Sequence, residues 1–363
     1  MAEIAAIFSP LRFGTLTLPQ RALRAGTNGQ SDLADSSGKR LQSLREAPVG
    51  AFRKPMKSAE LPARILIDID GVCYLRGTRI DGAAEAVTRL CSEGRSVVYV
   101  TNNSWGLPST YAETLRALGF PAGHDQVVTS SMAAASLLLE GDPASRRPGL
   151  ARGALVGAMG GPGLVSALDD AGFEPSGVDE LDGVPADDVG AVVVGVDRDL
   201  SYARVSQAAR LVRGGSWFLA TNTDATFPTE SGLLPGAGSI VGAVSIASGV
   251  DPTVAGKPEA GLAKAAASVV GVGPGLVIGD RIETDMAFAR RNGHLAGLVL
   301  TGVSAVEDLA SAEYLPDLVA NDMAELVESP VRIELDDHGA PVAVSGGESL
   351  RRAIGEALGA RCQ

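Results

Sequence analysis

Asp68 and Asp70 close the apolar run Arg64-Ile-Leu-Ile and lead directly into Gly71, so two carboxylates stand one residue apart where a strand would end. Ile65, Leu66 and Ile67 show no polar alternation, the pattern of a strand covered on both faces in a parallel α/β sheet. Ligands of such sheets sit beyond the carboxyl ends of the strands. Two like charges there are costly to desolvate unless a cation or a proton-transfer task offsets them. Taken alone, either aspartate also fits an ordinary turn or helix cap.

Three more strand ends carry polar groups. Thr101, Asn102 and Asn103 follow SVVYV, Lys257 lies in AGKP, and Asp280 lies in IGDRIETD with Asp285 five residues on. Taken in chain order, these segments resemble the four motifs of the haloacid dehalogenase superfamily. The resemblance is closest to the NagD-like branch of 4-nitrophenyl, phosphoglycolate and glycerol-3-phosphate phosphatases, and it covers about residues 61 to 328. VGVDRDLSYARVSQAARLVRGG, FLATNTDATFPTESGLLPGAGS and LVLTGVSAVEDL look like that branch's cap, its return to the core and its closing strand.

The resemblance implies a magnesium-dependent phosphatase of small phosphorylated metabolites. Asp68 would be the nucleophile that forms an aspartyl phosphate, splitting one difficult step into two, and Asp70 the general acid and base. Thr101 and the amides of Asn102 and Asn103 would donate to phosphoryl oxygens, and Lys257 would neutralise the nucleophile as a point charge. Mg2+ would be held by the Asp68 carboxylate, the Asp70 carbonyl and Asp280, with Asp285 supporting them through water or hydrogen bonds. Phosphate monoesters call for rate factors approaching ~10²¹, supplied mostly by positioning and charge neutralisation.

Two departures from the branch concern the substrate. Asn222 and Asp224 stand in TNTD where the branch reads TNPD, near the junction of cap and core; they are candidate substrate residues or turn formers. Trp105-Gly-Leu-Pro follows Ser104 where small and basic residues are usual, which makes Trp105 a candidate contact and favours a neutral or apolar leaving group. Arg281 could still serve an anion.

The elements that position these groups read as strand and helix in alternation from Leu61 onward, a doubly wound, Rossmann-like parallel sheet. A second βα series between the motifs reads as an inserted α/β cap at 127–235, with the core at 61–126 and 236–330. Residues 331–363 read as a hairpin, VRIEL and PVAVS, followed by an amphipathic helix with Leu350, Ile354 and Leu358 on one face. Residues 1–60, polar and rich in Gly, Ser, Pro and Arg, read as a disordered extension, and Met56 is an alternative start.

Composition excludes other classes. No apolar run reaches the roughly 18 residues of a membrane span, and the N-terminal residues lack the basic region of a signal peptide. Three cysteines, Cys73, Cys91 and Cys362, form no CxxC pair and fit a reducing, cytoplasmic compartment. A net charge of −12 speaks against nonspecific nucleic-acid binding. A homo-oligomer is compatible with all of this. Lys257 does not end a P-loop, because Gly249 is too distant and Pro258 replaces the Ser or Thr that would hold magnesium. The rival readings are a phosphotransferase of the same fold and a non-catalytic scaffold. A receiver-type domain is disfavoured by Asp70 and by the insertion.

Overall fold

The computed structural model describes residues 61–229, 232–336 and 338–361. The expectations for residues 1–60, including Met56 as a start, fall outside them.

Two sheets organise the described chain. The larger has eight strands in the order Pro341–Val344, Val331–Leu335, Leu318–Ala320, Leu295–Val299, Leu276–Gly279, Arg64–Asp68, Ser96–Thr101, Val127–Thr129. Its six strands from Leu318–Ala320 to Val127–Thr129 are parallel, and the C-terminal hairpin adds two antiparallel strands at one edge. Ile65, Leu66 and Ile67 are all buried, as an uninterrupted apolar run in the middle of a parallel sheet requires. The register is specific: Ile67 lies opposite Ile278 on one side, and Asp68 opposite Val100 on the other. That places the ends carrying Asp68, Thr101 and Asp280 at one edge of the sheet.

The smaller sheet has five parallel strands in the order Thr253–Val254, Trp217–Ala220, Ala191–Val194, Leu155–Met159, Glu174–Gly177. It corrects both expected boundaries of the insertion. Val127–Thr129 pairs with Ser96–Thr101 in the larger sheet, with Val127 and Val128 buried in its two apolar clusters. The helix Ala237–Ser248, expected in the core, puts Ile240, Val241 and Val244 into an apolar cluster with Val192, Val194 and Leu211. The chain therefore returns to the larger sheet only after Val254, immediately before Lys257.

The tail packs rather than trailing away. Its helix Glu348–Arg361 turns Leu350, Ile354 and Leu358 inward, Ile354 fully buried, into the cluster that holds Val319 and Val331. Among the described residues, no helix is long and apolar enough to cross a membrane.

Candidate active site

A single pocket collects the ends of the central strands. Asp68, Asp70, Thr101, Asn102, Asn103, Lys257, Asp280 and Asp285 all line it. Every group expected from the four motifs is thus brought together.

The turn after the first strand is tight. Gly71 has φ +83°, a conformation that suits a residue without a side chain. The Gly71 amide donates to the Tyr74 carbonyl at 2.8 Å and the Cys73 amide to that of Ile69 at 2.9 Å. Buried Cys73 turns its thiol toward the Asp68 carbonyl at 3.5 Å. Asp68 therefore reaches the pocket from a rigid strand, and Asp70 from a braced turn.

Lys257 lies at the centre, 3% exposed. Its Nζ donates to Asp68 Oδ1 and to Asp285 Oδ1, each at 2.6 Å. Burial alone would push the ammonium pKa down, but the Asp285 and Asp68 carboxylates outweigh it and hold the group above its ordinary range. The lysine is a fixed positive charge beside Asp68. Burial pushes the Asp68 carboxyl up, and Lys257 opposes that shift.

The carboxylates outnumber the nearby cations. Asp68, Asp280 and Asp285 each present an oxygen within 4.8 Å of the others. Burial, reinforced by the charge of Asp285, pushes the Asp280 carboxyl up to about 7. Burial also raises Asp70 to about 6, with Lys257 and Arg281 opposing. Crowded carboxylates held above their ordinary range lack positive charge, and an all-oxygen cluster suits a hard divalent cation. The backbone is shaped to the same end: a Cβ on Gly71 or Gly302 would run into the Asp280 carboxylate. Val303 N donates to Asp280 Oδ2 at 2.7 Å and fixes its orientation. Both Asp285 oxygens are already engaged, by Lys257 Nζ and by the Arg281 amide at 3.1 Å.

Asn102 is a structural hub. Its Oδ1 accepts from the Lys257 amide at 2.8 Å, and its Nδ2 donates to the Lys257 carbonyl and to Asp224 Oδ2. Its carbonyl accepts from Asn222 Nδ2 and from Ser130 Oγ, both at 2.6 Å. The side chain is consumed, so only its backbone amide is left for a ligand. Thr101 Oγ1 accepts from the Asn103 amide at 3.0 Å, which leaves the hydroxyl proton to donate into the pocket.

The candidate substrate residues separate. Asp224 lines the pocket with its carboxylate partly exposed. Asn222 reaches the wall, but its amide is committed to Asn102 and, through Oδ1, to the Asp224 amide, so it is a brace. Trp105 does not line the pocket. Its ring packs on Gly161, where a Cβ would collide with it, and the Arg198 guanidinium stacks 4.5 Å from its centroid. The chain turns away after Asn103 because Gly163 N donates to Trp105 O and Val196 N to Ser104 Oγ, tying this loop to the smaller sheet. Sequence reasoning missed Leu75, Val196, Phe227 and Val303, which form the apolar part of the wall. They come from two short hairpins and two loops with no residue pattern to announce them.

Comparison with known proteins bears on the family and the fold. A haloacid dehalogenase-like hydrolase profile matches residues 65–174, and a HAD-hydrolase-like profile matches residues 254–326. An acid sugar phosphatase of Staphylococcus aureus is 35% identical over 264 residues, 72% of this chain and 95% of that one. The glycerol phosphate phosphatase of Mycobacterium tuberculosis, solved in complex with magnesium, superposes with a TM-score of 0.70 at 30% identity, covering 85% of this chain and 94% of its own. A p-nitrophenyl phosphatase from Archaeoglobus fulgidus gives 0.64 at 31% identity, over 74% of this chain and 98% of that one.

Proposed function

Since the chain belongs to the haloacid dehalogenase-like hydrolases, we propose that it is a magnesium-dependent phosphatase of small phosphate monoesters acting through an aspartyl phosphate on Asp68. The observation that carries this reading is the buried contact of Asp68 with Lys257 in a pocket shared with Asp70 and Asp280. An anionic nucleophile attacks an anionic ester only where fixed positive charge faces both.

In the first step an Asp68 carboxylate oxygen bonds to phosphorus and the bond from phosphorus to the leaving oxygen breaks. Asp70, protonated at mildly acidic pH because its carboxyl is raised to about 6, gives its proton to that oxygen. In the second step Asp70 takes a proton from water, the water oxygen bonds to phosphorus, and inorganic phosphate leaves with Asp68 regenerated. Thr101 Oγ1 and the backbone amide of Asn102 hold phosphoryl oxygens; the Asn103 amide, expected to share that task, is spent on Thr101 Oγ1. Lys257 offsets the charge that accumulates between Asp68 and the transferring group.

Magnesium suits the donor set and would be held by the Asp68 carboxylate, the Asp70 carbonyl and Asp280, supplying charge neutralisation to the phosphoryl oxygens. Asp285, with both oxygens engaged, supports Lys257 and the loop after Asp280. We place the protein in the cytoplasm, in keeping with Cys73 and Cys91, which are both free thiols.

The test is phosphate release from a panel of sugar phosphates, glycerol 3-phosphate and 4-nitrophenyl phosphate, with magnesium and with chelator. Release that needs magnesium is expected. Silence on every ester would favour the scaffold reading, and ester consumption with the phosphoryl group appearing on an added alcohol would favour a phosphotransferase.

A further inference from the structure

Arg281 and Asp224 face each other across the pocket wall without completing a hydrogen bond. Arg281 Nη1 lies 3.9 Å from Asp224 Oδ1, and both side chains keep about a quarter of their surface exposed. A hydrogen bond between them would need roughly 2.7–3.2 Å. Each is nevertheless held in place. Asp224 Oδ2 accepts from Asn102 Nδ2 at 3.1 Å, and the Asp224 amide donates to Asn222 Oδ1 at 3.1 Å, so Oδ1 is the oxygen left over. The Arg281 backbone is fixed by its amide's bond to Asp285 Oδ2. Its guanidinium makes no hydrogen bond among the described residues, yet it has five donors to place.

A hydroxyl is the group that completes such a gap, because it donates to a carboxylate and accepts from a guanidinium at once. An anionic group is a poorer fit. It would pair with Arg281 but lie against Asp224 Oδ1, the carboxylate oxygen with no hydrogen-bond donor of its own among the described residues. Arg281 and Asp224 share their pocket with Asp70, the residue proposed to protonate the leaving oxygen. Phe227 and Leu75, which line the same pocket, offer apolar surface to a carbon chain.

We infer that Arg281 and Asp224 form a leaving-group subsite that reads a hydroxyl close to the phosphate-bearing carbon, directing the enzyme to polyol and sugar phosphates. The inference rests on the phosphatase reading of the same pocket.

The test compares kcat/KM for glycerol 3-phosphate with that for propyl phosphate, the same carbon chain without hydroxyls, in the wild type and in Arg281→Gln and Asp224→Asn. The wild type should favour glycerol 3-phosphate by about tenfold or more, and each variant should bring that ratio toward one. A residue that only braced Asn102 would lower both esters together and leave the ratio alone. If Asp224→Asn disturbs the fold, as a shifted melting transition would reveal, Arg281→Gln decides the matter, since its side chain makes no hydrogen bond among the described residues.

A wild-type ratio near one, or a ratio unmoved in both variants, overturns the subsite. So does preference for a carboxylate-bearing ester such as phosphoglycolate over glycerol 3-phosphate, which would make Arg281 an anion site. Turnover of 4-nitrophenyl phosphate alongside a ratio of one would leave the phosphatase reading standing and this inference lost. Silence on all the esters would remove both.

Discussion

The Lys257 ammonium lies 2.6 Å from Asp68 Oδ1, a buried ion pair that joins segments 189 positions apart in the chain. The same nitrogen holds Asp285 at the same distance, so a single positive charge locks the first strand end to the loop after Asp280. That nitrogen thus ties the end of Arg64–Asp68 to the helical turn Ile282–Met286.

Removing that charge leaves two buried carboxylates without their shared partner. Lys257→Met should therefore cost about 3–5 kcal/mol of stability at neutral pH. It should also lower kcat about 100-fold or more, because charge stabilisation at the reacting group goes with it. Denaturant titration and phosphate-release rates check both halves, and a variant as stable as the wild type would contradict the ion-pair account.

The metal-free protein should lose stability as pH rises. The Asp70 carboxyl is raised to about 6 and that of Asp280 to about 7, both above the ordinary value. Groups raised in the folded state bind protons more tightly there than in the unfolded chain. The stability they contribute is complete below about pH 4 and is lost as pH climbs through about 6 to 7. In chelator, Asp280→Asn should therefore gain stability relative to wild type between about pH 5 and about pH 8, and magnesium should restore the wild type. Melting curves that stay parallel across this range would refute the assignment.

Gly302 shapes the acidic cluster although it offers no side chain to it. A Cβ there would overlap the Asp280 carboxylate, and Val303 N, next in the chain, orients that same carboxylate. Gly302→Ala should weaken magnesium activation by about 10- to 100-fold. Titrating magnesium against initial rate measures this directly; an unchanged midpoint would mean that Asp280 is free to move aside.

The chemistry was more legible than the partition of the chain. Ile65 to Ile67 announce a doubly covered strand, and a strand of that kind ending in Asp68 has one sensible place for its carboxylate. The helix Ala237–Ser248 is different. Its small apolar residues reveal a helix but not which sheet will cover it, and the decision fell to Ile240, Val241 and Val244 meeting Val192, Val194 and Leu211. Trp105 was misplaced for a related reason. A large side chain just after Thr101, Asn102 and Asn103 looks like a ligand contact until Gly161 and Arg198, distant in sequence, provide its bed. Asp224 and Arg281 became a pair only because two separate loops approach one wall.

The central claim is that Asp68 bonds to phosphorus, and the rate of phosphate release by Asp68→Asn tests it most directly. Asparagine keeps the shape and removes the nucleophile, so with magnesium saturating and the fold verified by its melting transition, turnover should fall at least about 1000-fold on every ester the wild type cleaves. Turnover within about tenfold of wild type would contradict an aspartyl phosphate at this position.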